Sequence, residues 1–293
     1  MSDPTIFDPL AGLAAMGVTV DFQHVGFPHM ASRLPEHRGK RIRIDHFEVT
    51  PHMAMALAMK GMHRGNVRDY NPPGTYVRLL VRLDEDDPDY DDDNDGWSVM
   101  MSDTLSERVE AAPLLLSAKG RVLVAGLGLG MLVHGLLDRP GVDTVTVLEL
   151  NPEVIKAVGP TLPANRVTIV QADARGWAPC DDPHTVYDPG SAYAYDTVLL
   201  DIWPVLGSTM RDELAEMRAH YQRLFPGARV EGWMERELAL SEQLWETFLD
   251  HCRAAEADGK KLDAERAYGL FSARFNDAIE QARVEHALGL RSR

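Results

Sequence analysis

The sequence predicts an α/β chain built on a doubly wound, mostly parallel sheet, with a small β-containing region before it and a helical extension after it. Three observations carry this. Four short, nearly all-apolar runs, at 121–125, 144–148, 167–170 and 197–200, recur at spacings that leave room for crossover helices. A glycine-rich turn, Gly126-Leu127-Gly128-Leu129-Gly130, joins the first of these runs to an apolar helical stretch at 131–137. The texture of the chain changes near 102 and again near 235, which divides it into residues 1–101, 102–235 and 236–293.

The elements follow in chain order. The run RIRIDHFEV at 41–49 nearly alternates apolar and polar residues, the period of a half-buried strand. Residues 74–83 and 97–101 read as the arms of a hairpin whose tip is the acidic loop 84–95, closing on Asn94-Asp95-Gly96. Asn71-Pro72-Pro73-Gly74 is a proline turn entering the first arm. Met53, Met55, Met59 and Met62 cluster on one helix, where adaptable side chains suit core packing better than an apolar substrate wall. Thr104 and Glu107 form a T-x-x-E capping box ahead of a helix that runs to Ser117. The four buried strands come next, with a fifth at 228–234. Beyond 235, Leu238, Trp245, Phe248, Leu249 and Cys252 recur at near-helical spacing, as do Phe271, Phe275, Ala278 and Ala282.

Composition narrows the function. With 293 residues, 45% of them hydrophobic and 26% charged, this is a chain that folds around a core. No apolar run approaches the ~20 residues of a membrane span, and the N-terminus has neither a basic nor an apolar leader segment, so a cytoplasmic location is expected. Cys180 and Cys252 show no C-x-x-C spacing, which points away from a disulfide framework or a cysteine zinc site. Nine of the 45 acids lie in 84–95, and without them the balance against 30 bases is only mildly acidic. Such a body does not grip nucleic-acid phosphates and suits neutral or cationic small-molecule substrates. The D-x-D-x-D-G at 91–96 matches half of a calcium loop, but Ser102 stands where the bidentate Glu belongs, so the segment reads as a solvated tip. No H-E-x-x-H is present, and no metal site is expected.

The chemistry concentrates after the strands. Glycines 126, 128 and 130 let the backbone turn tightly and approach a ligand at a helix N-terminus. The second strand ends in Glu149, 23 residues after Gly126, where a carboxylate can accept both hydroxyls of a ribose. Met131 stands where a dinucleotide fingerprint has its third glycine, which disfavours NAD. Together with VLVAGLGLG, VLELNP, QADA and YDTVLLDIWP, the chain from 74 to 204 resembles the class I S-adenosylmethionine (SAM) dependent methyltransferase superfamily, a Rossmann-like fold, and within it the spermidine-synthase-like branch.

The resemblance implies that Gly126, Gly128 and Gly130 lie against the methionine portion of SAM, that Glu149 holds its ribose, and that Asp173 and Ala174 meet its adenine. It also implies that Asp201 faces the transferring carbon. Asp173 as a helix cap and Asn151-Pro152 as a turn are the alternatives. Polyamine synthases carry D-x-x-D after the fourth strand; here Pro204 replaces the second carboxylate, so methyl transfer to a small-molecule acceptor is favoured over aminopropyl or 3-amino-3-carboxypropyl transfer from SAM or its decarboxylated form. Asp201 then positions or deprotonates the acceptor, and Trp203 either walls the site, attracting the sulfonium through its ring, or packs the sheet edge. Ser102 and Asp103 either touch the amino-acid end of SAM or cap the following helix. A nicotinamide oxidoreductase and a non-catalytic binding protein are the readings from other classes, and the C-terminal helices offer a surface for a homodimer.

Overall fold

The computed structural model describes residues 27–64, 71–85, 94–179, 193–203 and 210–257, which form two sheets. The first is an antiparallel meander of β1 (His37–Arg38), β2 (Ile42–Val49), β3 (Gly74–Arg82) and β4 (Trp97–Ser102). Helix α1 (Pro51–Arg64) lies between β2 and β3 in the chain. The second sheet contains β5 (Gly120–Ala125), β6 (Val142–Glu149), β7 (Val167–Gln171), β8 (Thr197–Leu200) and β9 (Arg229–Gly232), in the order β7-β6-β5-β8-β9, every pair parallel. Around it run α2 (Leu105–Ser117), α3 (Met131–Leu137), α4 (Pro152–Val158), α5 (Met210–Leu224) and α6 (Glu235–Ala257). This is a doubly wound, Rossmann-like sheet. Its strand order reverses between β5 and β8, and that switch point opens a crevice beyond the carboxyl ends of the strands.

Strand alternation builds the two sides of the core. On β5, Val122 and Val124 face one cluster while Leu123 and Ala125 face the other, and all four are fully buried. The second cluster is completed by Leu214, Met217, Tyr221 and Leu224 on α5, spaced to place them on one helical face. The first cluster continues without a break into the N-terminal sheet, taking in Ile42 and Ile44 of β2 with Val77 and Leu79 of β3.

Two carboxylates fasten the sheets together. Asp103, with no exposed surface, accepts the Val77 amide at 2.7 Å, the Met30 amide at 2.9 Å and an Arg108 N–H at 3.2 Å. Glu153 on α4 accepts the Arg41 and Ile42 amides at 3.0 and 3.2 Å, binding the β1–β2 turn to the second sheet, and those bonds hold its carboxyl below the usual range. A bulge between Leu79 and Leu80, where Leu79 faces Met101 and Leu80 faces Val99, leaves Met100 as the extra residue and re-aims the end of β4.

Three local expectations change. The capping box does not close: Glu107 reaches Ser102 N–H at 2.8 Å, and Thr104 shares its hydroxyl with Ser102 at 2.9 Å. The first amide of α2, at Leu105, is instead capped by the Asn71 side chain at 2.9 Å, from 34 residues away, so the proline turn also serves a helix. Met53, Met55 and Met59 are not core, and the Met62 side chain lies outside what is described. The three are 46%, 39% and 59% exposed, because α1 packs through Ala54 against Val49, Tyr76 and Leu105. The hairpin arms pair as expected, Arg82 opposite Trp97. The acidic residues 86–93, Pro204, Cys180 and the stretch 258–293 lie outside the described residues. No helix among the described residues is long and apolar enough to cross a membrane, and no cluster of metal-ligating side chains is found among them.

Candidate active site

At the switch point the two halves of the crevice interlock. Gly126 donates its amide to Leu148 O at 2.8 Å, and Asp201 donates its own to Ala125 O at 2.9 Å. Gly126 has φ +97°, and a β-carbon there would stand 2.1 Å from the Asp201 carbonyl oxygen. Only glycine lets the loop after β5 lie against the loop after β8. Gly130 begins α3 at φ 74°, its missing side chain admitting Val158. Its role is packing, and Gly126 and Gly128 alone of the three line the cavity.

The cavity measures about 300 Å³ and lies between these loops, β3, β4 and α2. Its apolar end is made by Leu79, Val81, Met100, Met101, Met131 and Leu132. The re-aimed β4 brings the Met101 sulfur to the Leu129 N–H at 3.3 Å, directly over Gly128. Its polar end is made by Glu107, Glu149, Asp173, Asp201 and Arg175. Four carboxyls thus face one guanidinium, and Arg175 is already engaged by Glu213 at 3.1 Å.

Each expected site residue has a definite place. Glu149 ends β6; one carboxylate oxygen accepts the Leu127 amide at 2.9 Å and the other the Asn151 amide at 2.7 Å. A carboxylate oxygen has two lone pairs, so each keeps one for a ligand hydroxyl. Asn151 caps α4 by accepting the Glu153 amide at 2.9 Å, with Pro152 in its first turn. Asp173 is no helix cap; it accepts the Arg175 amide at 2.9 Å in an Asx turn and stays exposed on the cavity rim. Ala174 is buried beneath, its carbonyl receiving the Tyr221 hydroxyl at 2.7 Å. Trp203 lines the cavity and donates its indole N–H to Glu213 at 3.1 Å, so it both walls the site and packs the sheet edge. Ser102 and Asp103 do not line the cavity. The fastening role that consumes both Asp103 oxygens turns it away from the site, and the Ser102 hydroxyl is spent on Thr104 and Glu107.

Burial sets the electrostatics. It pushes the Asp201 carboxyl up to about 7, with Glu110 repulsion adding to it. Glu107 also rises to about 7, chiefly by burial, with Glu110 and Asp201 pushing the same way against the hydrogen bonds from Ser102. Sequence reasoning missed several residues here. Glu107 was hidden behind its capping pattern, Met101 depends on a bulge, and Arg175 and Glu213 meet only through the fold. Leu150 is 60% exposed on the cavity rim directly after Glu149, and its apolar character at a strand end was the available clue.

No protein-family model matches the chain, and no curated protein does. The solved structures to which it is similar are mostly SAM-dependent methyltransferases. One, from Mesorhizobium loti, shares 16% identity at a TM-score of 0.30, covering 42% of this chain and 52% of that one. A SAM-bound amino pentose methyltransferase from Micromonospora echinaspora shares 24% at 0.26, covering 43% and 47%. Spermidine synthase from Thermotoga maritima shares 15% at 0.31, covering 51% and 49%. The chain spans about half the length of each. The reading of the site rests on its own geometry.

That geometry fits a nucleoside sulfonium. Glu149 keeps lone pairs for two vicinal hydroxyls, Leu150 and Asp173 offer an apolar face and an acceptor at the rim, and the acidic wall suits a positive charge. A pyridine dinucleotide carries two phosphates, and this wall offers them one guanidinium that is already engaged.

Proposed function

We propose that the chain is a SAM-dependent transferase that moves a methyl group to a small acceptor. The observation that carries this reading is the gathering of Gly126, Gly128, Glu149, Asp173 and Asp201 around one cavity at the topological switch point. Of the neutral and cationic acceptors that the composition admits, the four carboxyls on the wall favour the cationic.

Glu149 would hold the ribose, Asp173 the adenine end, and Gly126 and Gly128 the backbone approach to the methionine portion. Bound there, SAM supplies an electrophilic methyl on a sulfonium that is already a good leaving group. The protein's task is then alignment, exclusion of water and management of the acceptor's proton. Asp201, at the end of β8, would take that proton, and its raised pKa near neutrality suits a base that must also let the proton go. Trp203, held by Glu213, closes the wall beside it. We further propose that α6, with Trp245 42% exposed beside Phe248, pairs two subunits.

Calorimetric titration with SAM, S-adenosylhomocysteine and NAD tests the reading. Binding of the first two without the third is expected, and NAD alone binding would overturn it. Mass analysis of the spent cofactor then reads the reaction: S-adenosylhomocysteine reports a moved methyl, and methylthioadenosine would report a moved carbon chain.

A further inference from the structure

Pro204 removes the carboxylate that a D-x-x-D spacing would set beside Asp201, yet a second carboxyl stands in the same cavity. It comes from the other side, from the first turn of α2. We propose that Glu107 is the second carboxyl of the acceptor site, forming with Asp201 a pair that binds an ammonium acceptor and takes up its proton. This rests on the transferase reading of the cavity.

The geometry is specific. One oxygen of Glu107 is fixed by the Ser102 amide at 2.8 Å and the Ser102 hydroxyl at 3.1 Å. Its other oxygen, and both side-chain oxygens of Asp201, take no hydrogen bond among the described residues, although both side chains line the cavity. The failed capping box is the cause: a Glu that does not close on its own helix is free to face the site. The remaining charged groups around the pair are Glu110 on α2, Glu149 at the end of β6, and Asp173 with Arg175 beyond β7. Arg108, the cation nearest on α2, is turned to Asp103. Among the described residues no cation is paired with either carboxyl; burial raises both to about 7, Glu110 adds to each, and the Asp201 charge adds to Glu107.

Near neutral pH such a pair carries about one negative charge, which attracts an ammonium group and little else. The step is a proton transfer. The ammonium N–H bond breaks, its electron pair stays on nitrogen, and an O–H bond forms on the charged carboxylate. The pair becomes neutral and doubly protonated, the amine gains a free lone pair, and the proton returns to solvent after the product leaves. Protonation of the pair thus creates the nucleophile where a fixed ion pair would only retain the cation.

Two measurements decide it. Infrared titration of the protonated carboxyl band, on the protein without cofactor, is expected to show two carboxyls losing their protons near neutrality. Glu107→Gln, which keeps the acceptor that Ser102 needs, should remove one and move the other to lower pH, and Asp201→Asn should do the reciprocal. An absence of such carboxyls, or a titration of one that ignores loss of the other, overturns the pair. The second measurement is calorimetry with n-butylammonium and butyrate on the protein saturated with S-adenosylhomocysteine. The ammonium should bind and butyrate should not, and Glu107→Gln should weaken the ammonium about tenfold with the nucleoside affinity unchanged. Equal binding of butyrate, or an unaffected variant, overturns the proposal. If S-adenosylhomocysteine itself fails to bind, the transferase reading falls, while the infrared titration still decides whether the carboxyls are paired.

Discussion

Replacing Gly126 by alanine should unfold a substantial part of the molecule's stability at a single methyl group. Two costs act together. The residue sits at φ +97°, a conformation that costs an L side chain about 1–3 kcal/mol. The added carbon would also meet the Asp201 carbonyl oxygen at 2.1 Å, and that oxygen belongs to backbone anchored by the Asp201 amide on Ala125. Forcing an extra carbon into a packed interior costs about 1–3 kcal/mol more. The sum, about 2–6 kcal/mol, is a large share of the ~5–15 kcal/mol that holds a typical domain together. Gly141 is the internal control: it has nearly the same φ, +98°, with nothing within 4 Å of the added carbon. Urea unfolding of Gly126→Ala and Gly141→Ala, extrapolated to water, isolates the contact as the difference between them. If the two variants lose equal stability, the interlock of the loops after β5 and β8 is not what makes residue 126 a glycine.

Glu149→Gln should weaken SAM by about 10- to 100-fold in calorimetry, since a hydrogen bond to a charged group contributes about 1.5–3 kcal/mol; an unchanged affinity would remove Glu149 from the ribose. Burial, with Glu110 repulsion adding to it, raises the folded-state Asp201 carboxyl to about 7, well above the ordinary aspartate value. Its contribution to stability is therefore fully present below the lower value and lost as pH rises through the higher one. Asp201→Asn lacks this loss, so its stability relative to the native sequence should be greater at about pH 8 than at about pH 5, and a pH-independent difference would contradict the desolvated carboxyl. Asp103→Ala strands Arg108 and two backbone amides and should cost about 3–5 kcal/mol in urea unfolding; a loss below about 1 kcal/mol, the value of a surface pair, would return Asp103 to the candidate site. Light scattering should give about twice the 32.6 kDa of one chain, and a monomeric mass would reject pairing through α6.

What the sequence revealed and what it hid divide along a physical line. The parallel strands were legible because strands buried on both faces are almost purely apolar, so Val122 to Ala125 and Thr197 to Leu200 stand out without any knowledge of their neighbours. Gly126 and Glu149 were legible because tight turns and strand-end acids have characteristic spacings. Glu107 and Asp103 were not, since each sits in a local pattern that a short-range rule explains equally well. T-x-x-E is a capping signature, and its failure to close depends on Asn71, 34 residues before Leu105, supplying the cap. Asp103 read as a loop residue near the cofactor, whereas Val77, Met30 and Arg108 converge on it from three elements. The methionines of α1 misled for the opposite reason: apolar composition does not say which side of a helix the rest of the chain will cover.

The unbroken apolar seam from Ile42 and Ile44 through Val77 and Leu79 to Val122 and Val124 constrains how this chain can be cut. A break drawn at 101, where the sequence changes character, would strip the greasy lining from both fragments at once. Neither piece would be a self-sufficient module, and transplanting the leading meander onto another parallel sheet would require that sheet to donate a matching inner surface.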